Sequence, residues 1–119
     1  MITVYFDGKC GLCSKEIRYY QRIAPANIFA WQDIATDPSA LAPFAIPQAD
    51  ALRRLHVRDA DGVWHIGVGA FAAIWDHLRW WRILAVIIRL PVLFQLAQFA
   101  YSRFADYRFA RLPHCQIAE

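Results

Sequence analysis

The spacing of hydrophobic residues changes twice in the first third of the chain. Residues 2–6 (ITVYF) are all β-branched or aromatic, which is typical of a buried strand. Residues 12–24 place hydrophobic side chains three and four positions apart and predict a helix, which Pro25 would end. Residues 28–34 again have the composition of a strand. The pattern therefore predicts two parallel strands joined by a helix in a right-handed crossover.

The middle of the chain predicts a hairpin followed by a helix. Three prolines between residues 35 and 50 indicate a loop, with a short helix near residues 39–44. Asp61-Gly62 then lies between two hydrophobic runs, and an Asp-Gly pair in that position is a strong hairpin signal. The two strands and the amphipathic helix after them are predicted over residues 52–58, 63–66 and 69–79. The order β-α-β-(α)-β-β-α predicts an α/β fold that resembles the thioredoxin-like arrangement.

The last third of the chain is both hydrophobic and basic. Residues 79–111 predict two extra helices, a C-terminal helical extension of the domain. Residues 79–119 hold six arginines and two acidic residues, a net charge of +4. The uncharged run Leu90–Ser102 has 13 residues, whereas a transmembrane helix needs about 20, so we predict no membrane-spanning helix. No dense basic run occurs, and we expect no nucleic acid partner.

Arginines and aromatic residues interleave in this extension, and the pattern fits two interpretations. The arginine stems can pack on tryptophan and tyrosine rings along a solvated helix face. Interfacial helices show the same interleaving, which leaves a peripheral membrane contact open.

Composition favours one small domain that stays in a reducing compartment. The chain has 119 residues, enough for a single core, so we assign residues 1–119 to one domain. Three cysteines are too few for a disulfide scaffold. The N-terminus lacks the basic and apolar regions of a signal peptide, and we therefore expect a cytoplasmic protein.

The candidate chemistry lies where the first strand meets the first helix. Cys10 and Cys13 are separated by two residues there, the spacing of thiol-disulfide exchange pairs. The N–H groups at a helix N-terminus favour negative charge, and Lys9 adds a positive charge nearby. We expect Cys10 to be the more exposed, attacking thiol and Cys13 to resolve the mixed disulfide, without a bound cofactor.

Asp7 and two glycines complete the motif around the cysteines. Asp7 could accept the Cys13 proton during resolution, or it could cap the turn by accepting N–H groups. Gly8 and Gly11 most simply serve a tight turn between strand and helix.

Metal binding is the main chemical alternative. Cys10 and Cys13 could combine with His114 and Cys115 to give the four nitrogen or sulfur ligands of a zinc or iron–sulfur site. The chain has no second pair of cysteines at this spacing, which weakens that prediction. Cys115 lies close to the C-terminus, and we expect it to be a free thiol in a loose segment.

These residues resemble the DCC-type thiol-disulfide oxidoreductases, whose signature is a strand followed by Asp-x-x-Cys-x-x-Cys. The specific match is residues 5–13, YFDGKCGLC. The hairpin, the helix after it and the tail also agree with the family at Asp61-Gly62, Gly67, Gly69, Tyr107–Ala110 and Cys115. The resemblance implies a thioredoxin-like fold and protein-disulfide reductase activity. It also implies redox roles for Cys10 and Cys13 and a site role for Asp7.

One feature departs from thioredoxins, which carry a cis-proline just before the third strand, facing the cysteines. Here Arg53 and Arg54 lead into that strand, and Pro47 lies several residues too early. We expect Trp31 and the arginine pair to shape the substrate groove instead.

The sequence therefore predicts a thiol-disulfide oxidoreductase that acts on a disulfide-containing protein or a small thiol substrate. It does not identify the electron donor. One alternative is a non-catalytic thioredoxin-like module that uses its basic, aromatic C-terminal helices to bind a membrane or a protein. The other is a small metal-binding protein.

Overall fold

A computed structural model of the chain describes residues 1–118, and the side chains of residues 1–115. Within residues 1–118, four strands and six α-helices follow one another, with one 3₁₀ helix, Pro38–Phe44, after the second strand. The strands are β1 (Ile2–Phe6), β2 (Phe29–Asp33), β3 (His56–Arg58) and β4 (Trp64–Ile66). The helices are α1 (Gly11–Ile23), α2 (Gln48–Arg53), α3 (Val68–Trp75), α4 (Trp81–Ile88), α5 (Pro91–Arg111) and α6 (Pro113–Ala118).

The strands form one mixed sheet in the order β2-β1-β3-β4. β1 pairs in parallel with β2, and Val4 lies opposite Trp31. β1 also pairs antiparallel with β3, which forms the predicted hairpin with β4. The parallel pair, the hairpin and the thioredoxin-like α/β class predicted from the sequence are therefore confirmed.

Side chains alternate across β1 and feed two cores, one on each face of the sheet. Ile2 and Val4 lie in the first core, which α1 and α3 complete with Ile17, Tyr20, Ala70, Ala73 and Ile74. Tyr5 lies in the second core with residues of the 3₁₀ helix, α2, α5 and α6: Leu41, Ala51, Leu52, Phe109 and Cys115. The C-terminal helices therefore cover the second face of the sheet, where Asp7 follows Tyr5 by two positions.

The segment before β3 differs from the prediction. Residues 52–58 were expected to form a strand, but the chain is helical over α2 and extended only from His56 to Arg58. Pro47, with φ −62°, precedes α2 as its N-cap, and the residues after it (QADALR) are mostly good helix formers. Leu52 is buried, as expected, but it belongs to helix α2 and not to a strand. α6 was not predicted either.

The predicted C-terminal extension is present as α4 and α5. Leu90 has extended backbone (ψ 136°), because the ring of Pro91 disfavours a helical residue before it. The two helices are bent by 98° at this break. Among the described residues, neither helix alone is long and apolar enough to cross a membrane, while the bent pair together meets that criterion by length and composition.

Candidate active site

The turn between β1 and α1 is built around Gly8. Its N–H donates to Asp33 Oδ1 at 3.0 Å, and its carbonyl accepts from Ser14 Oγ at 2.8 Å. A Cβ at this position would lie 1.9 Å from Asp33 Oδ2, so only glycine fits beside that carboxylate. Gly11 is different, since it is the first residue of α1 and has open space around it. The turn therefore requires Gly8, and the expectation that Gly11 serves it is wrong.

Cys10 is the N-cap residue of α1 and places its sulfur at the helix N-terminus. Its Sγ accepts the Cys13 N–H at 3.4 Å. Cys10 and Cys13 are both free thiols, so the structure represents the reduced pair. A helix N-terminus and a direct N–H donor both stabilise negative charge on the Cys10 sulfur. Lys9 is exposed, and its backbone N–H donates to Asp7.

The relative exposure of the two cysteines is opposite to the prediction. Cys10 is only 4% exposed, whereas Cys13 is partly exposed and lines a cleft. The C-terminal residues His114 and Cys115 pack against Asp7, three positions before Cys10, and the charge of Cys10 acts on Cys115. The expectation of an exposed Cys10 rested on the turn and the first helix alone, and these C-terminal contacts were not part of it.

Cys13 is held as a thiol. Burial, the hydrogen bond with Cys10 and the nearby charges of Cys10 and Asp7 raise the pKa of Cys13 to about 12, although Arg108 opposes this shift. A thiol with that pKa is almost entirely protonated near neutral pH. The site therefore keeps the proton on Cys13.

Asp7 is buried and bonded on several sides. Arg108 Nη1 donates to its Oδ2 at 3.1 Å, and His114 Nε2 lies 2.9 Å from both carboxylate oxygens. Because an ionised carboxylate only accepts, we assign the proton to His114 Nε2. The Cys115 thiol donates to Oδ2 at 3.8 Å, and the Lys9 N–H donates to Oδ1 at 3.0 Å. Asp7 thus caps the turn and also anchors the C-terminal segment.

Arg108 links this carboxylate to α2. Its second guanidinium nitrogen donates to the carbonyl oxygens of Leu52 and, at 3.2 Å, of Arg53. These carbonyls lie in the last turn of α2, where helices leave acceptors without partners. Burial alone would lower the pKa of Arg108, but the charges of the site, Cys13 first and Asp7 among them, raise it. Arg108 is therefore a permanent cation beside the thiols.

Three residues of this cluster were missed or misjudged from the sequence. Arg108 was counted among the arginines of the C-terminal extension and within the Tyr107–Ala110 match, yet its position three residues after the buried Ala105 indicates the inner face of α5. Cys115 was expected in a loose segment, but its side chain is fully buried, and burial raises its pKa. His114 had been considered only as a metal ligand.

The predicted metal-ligand set is not assembled. Among the described side chains, the group with metal-binding geometry is Asp7, His114 and Cys115, whose ligand atoms lie within 4.8 Å of one another. Neither Cys10 nor Cys13 belongs to it. Oxygen, nitrogen and sulfur donors suit zinc, but the Arg108 cation is bonded to the same carboxylate oxygen and opposes a divalent ion there. The residues fit an ion-paired cluster better than a metal centre.

A largely apolar cleft lies beside Cys13. It runs between the start of α1 and the side of α5, and its lining includes Leu12, Leu55, Phe71, Tyr101 and Phe104. Leu55, directly before β3, donates its N–H to Tyr101 Oη at 2.9 Å. Arg54 also lines this cleft, as expected for a residue that shapes a groove, and pairs with Asp106 at 3.3 Å.

Trp31 does not line this cleft. It packs on Phe29 in β2, with ring centroids 5.1 Å apart, and contributes to the first core. The expected role of Trp31 in this groove is therefore wrong. Tyr101 and Phe104, which the sequence analysis did not single out, supply the aromatic wall instead.

Comparison with known proteins gave one match. Residues 4–112 match the family model described as DCC1-like thiol-disulfide oxidoreductase, which covers nearly the whole chain. No curated protein and no solved structure matches the chain significantly.

Proposed function

The chain belongs to the DCC1-like thiol-disulfide oxidoreductase family, and we propose that it reduces substrate disulfides through Cys10 and Cys13. The observation that carries the proposal is the Cys13 N–H donated to Cys10 Sγ at the N-terminus of α1. This contact stabilises a thiolate at one sulfur and holds the other within reach of it. The substrate class we propose is a disulfide-containing protein or a small disulfide, in the cytoplasm.

In the first step, the Cys10 thiolate attacks one sulfur of the substrate disulfide. The substrate S–S bond breaks as a bond forms to Cys10 Sγ, and the leaving thiolate takes up a proton. The apolar lining of the cleft suits the apolar part of a substrate. Cys13 is the residue of the cysteine pair that lines this cleft. Because Cys10 is covered, we infer that the C-terminal segment shifts when substrate binds.

In the second step, Cys13 loses its proton and attacks Cys10 Sγ. The Cys10–Cys13 disulfide forms, and the second substrate thiol is released, so two electrons have passed to the substrate. With a pKa of about 12, Cys13 needs a base. Asp7, positioned by Arg108 and His114, is the carboxylate whose charge acts on Cys13, and we assign it this role. A dithiol donor then restores the reduced pair.

Single serine variants test the assignment in a protein-disulfide reduction assay with dithiothreitol as donor. We expect Cys10→Ser to lose turnover and Cys13→Ser to accumulate a mixed disulfide that mass spectrometry detects. Cys115→Ser is the control for loss of a thiol, because the proposed exchange does not use Cys115 and a serine hydroxyl can still donate to Asp7, so this variant should retain turnover. Full turnover in Cys10→Ser would overturn the proposal. Trapping in Cys10→Ser rather than Cys13→Ser would exchange the two roles.

A further inference from the structure

The corner where α4 meets α5 exposes many large apolar side chains. We call this set the apolar corner; its members are Ile83, Val86, Ile87, Leu90, Val92, Leu93, Leu96 and Phe99, and all are exposed. Val92 is 70% exposed and Val86 is 66% exposed. Soluble proteins rarely leave contiguous apolar surface of this kind uncovered unless it binds a partner or a membrane.

The part of the sequence that carries the apolar corner is rich in arginine. No acidic residue occurs between Asp76 and Asp106, whereas four arginines do: Arg79, Arg82, Arg89 and Arg103. Arg89 is neutralised by a bidentate pair with Asp76, at 2.6 and 2.7 Å. The other three are exposed beside aromatic and aliphatic side chains, and Arg103 lies 5.5 Å from the Phe99 ring. The surface therefore combines apolar area with a positive rim.

We propose that the apolar corner binds the interface of a membrane that contains anionic lipids, with α4 and α5 lying on its surface. Apolar side chains would enter the boundary between headgroups and acyl chains, and the arginines would meet lipid phosphates and carboxylates. A second copy of the chain is a poorer occupant, because two such surfaces would bring like charges together. Trp80, 72% exposed at the start of α4, suits the same boundary.

The proposal is tested on the full chain with vesicles of phosphatidylcholine, alone or mixed with phosphatidylserine. We expect sedimentation with the mixed vesicles, at least tenfold weaker binding to phosphatidylcholine alone, and weakening of the mixed-vesicle binding by salt. A double variant, Val92→Glu with Leu96→Glu, should lower the affinity at least tenfold. Both side chains are exposed, so circular dichroism and thermal unfolding should be unchanged.

Val63→Glu is the matched control. Val63 is 53% exposed in the hairpin between β3 and β4 and belongs to neither α4 nor α5, so its substitution should leave vesicle binding intact. Equal binding by the double variant, or no binding to anionic vesicles, would overturn the proposal. Sedimentation velocity without lipid tests whether a second copy of the chain binds the apolar corner instead. A dimer that is lost in the double variant would assign the corner to a second copy and overturn the proposal. Binding does not require the thiols, so Cys10→Ser should bind vesicles normally.

Discussion

The carboxylate of Asp7 and the guanidinium of Arg108 form an ion pair of 3.1 Å between residues 101 positions apart. The Asp7 side chain is buried, with an exposure of 3%, and that of Arg108 is largely buried, with an exposure of 11%. Asp7 follows β1 and Arg108 lies in the last turn of α5, so the pair fastens the C-terminal helices over the turn that carries Cys10. Arg108 thereby connects α5 to the turn before Cys10 and, through its bonds to the Leu52 and Arg53 carbonyls, to α2.

Removing Arg108 should destabilise the protein strongly. Arg108→Met leaves the Asp7 carboxylate buried beside uncapped carbonyls of α2, and loss of one partner from a buried pair costs about 3–5 kcal/mol. Urea unfolding measures the change. Arg111→Met is the control, because Arg111 is exposed in the same turn and lies 4.6 Å from the Tyr107 ring, so its effect should stay below about 1 kcal/mol.

A double-mutant cycle separates the pair from simple loss of packing. Adding Asp7→Asn to Arg108→Met removes the unpaired charge, so the double variant should be more stable than the sum of the two single effects predicts. Strict additivity would show that the two groups do not interact in solution.

The two glycines of the motif should respond oppositely to alanine. In Gly8→Ala the new Cβ collides with Asp33, whose Oδ1 also accepts from Ala35 and Thr36 and cannot move without breaking those bonds. We expect a loss of about 1–3 kcal/mol in unfolding free energy. In Gly11→Ala the Cβ meets nothing within 4 Å, and alanine is the better helix former, so stability should be unchanged or rise by up to about 1 kcal/mol.

Thermal or urea unfolding of both variants decides this prediction. A Gly8→Ala protein as stable as the unmodified chain would mean that the turn relaxes without the Asp33 contacts.

The position of the cysteines was predictable because it depends on local signals. A β-branched strand, a turn with Gly8 and a helical repeat follow directly from neighbouring residues, and they place Cys10 at the helix N-terminus. The burial of Cys10 was not predictable in the same way, since the neighbouring Asp7 is contacted by residues more than a hundred positions later. His114 and Cys115 contact Asp7 through the tertiary fold, and no local pattern marks them.

The error at α2 has a related physical cause. Leu52 and Val57 are both buried, and a short hydrophobic run fits either a buried strand or a buried helix. The structure divides the run, and Arg54 with extended backbone marks the boundary between α2 and β3. The sequence showed arginines before β3 where thioredoxins carry a cis-proline. It did not show that Arg108, from helix α5, donates to the last carbonyls of α2, because that contact depends on the tertiary fold.

The proton of Cys13 can be followed directly. Thiolate absorbance against pH should show that Cys13 titrates near 12, well above its ordinary value of 9.0. In Cys10→Ser the bond and charge of Cys10 are lost but burial remains, so the pKa of Cys13 should fall and still exceed 9.0. A value at or below 9.0 in that variant would contradict burial as the main cause.

The same shift affects stability. The unfolded chain releases the Cys13 proton near pH 9.0, while the folded chain keeps it until about pH 12. The free energy of unfolding should therefore fall as the pH rises through this window, by at most about 1.4 kcal/mol per pH unit. Cys13→Ser should reduce that dependence in alkaline urea titrations.

Asp7→Asn separates the two chemical steps. Attack by Cys10 should not slow, because Arg108 remains beside the thiols and its charge is no longer offset by the carboxylate. Resolution by Cys13 should slow by about 100-fold or more, since the neutral amide cannot accept the proton. Rapid acid quenching and mass spectrometry should then detect a mixed disulfide on Cys10 that the unmodified chain does not accumulate.

His114→Gln is the control for this experiment. It removes an imidazole partner of Asp7 but keeps the carboxylate and its ion pair with Arg108, so resolution should slow far less than in Asp7→Asn. Both variants need to be compared below their unfolding transitions, since Asp7→Asn also leaves Arg108 buried without its partner. If the mixed disulfide resolves at the same rate in Asp7→Asn as in the unmodified chain, Asp7 is a structural anchor and the Cys13 proton leaves to solvent.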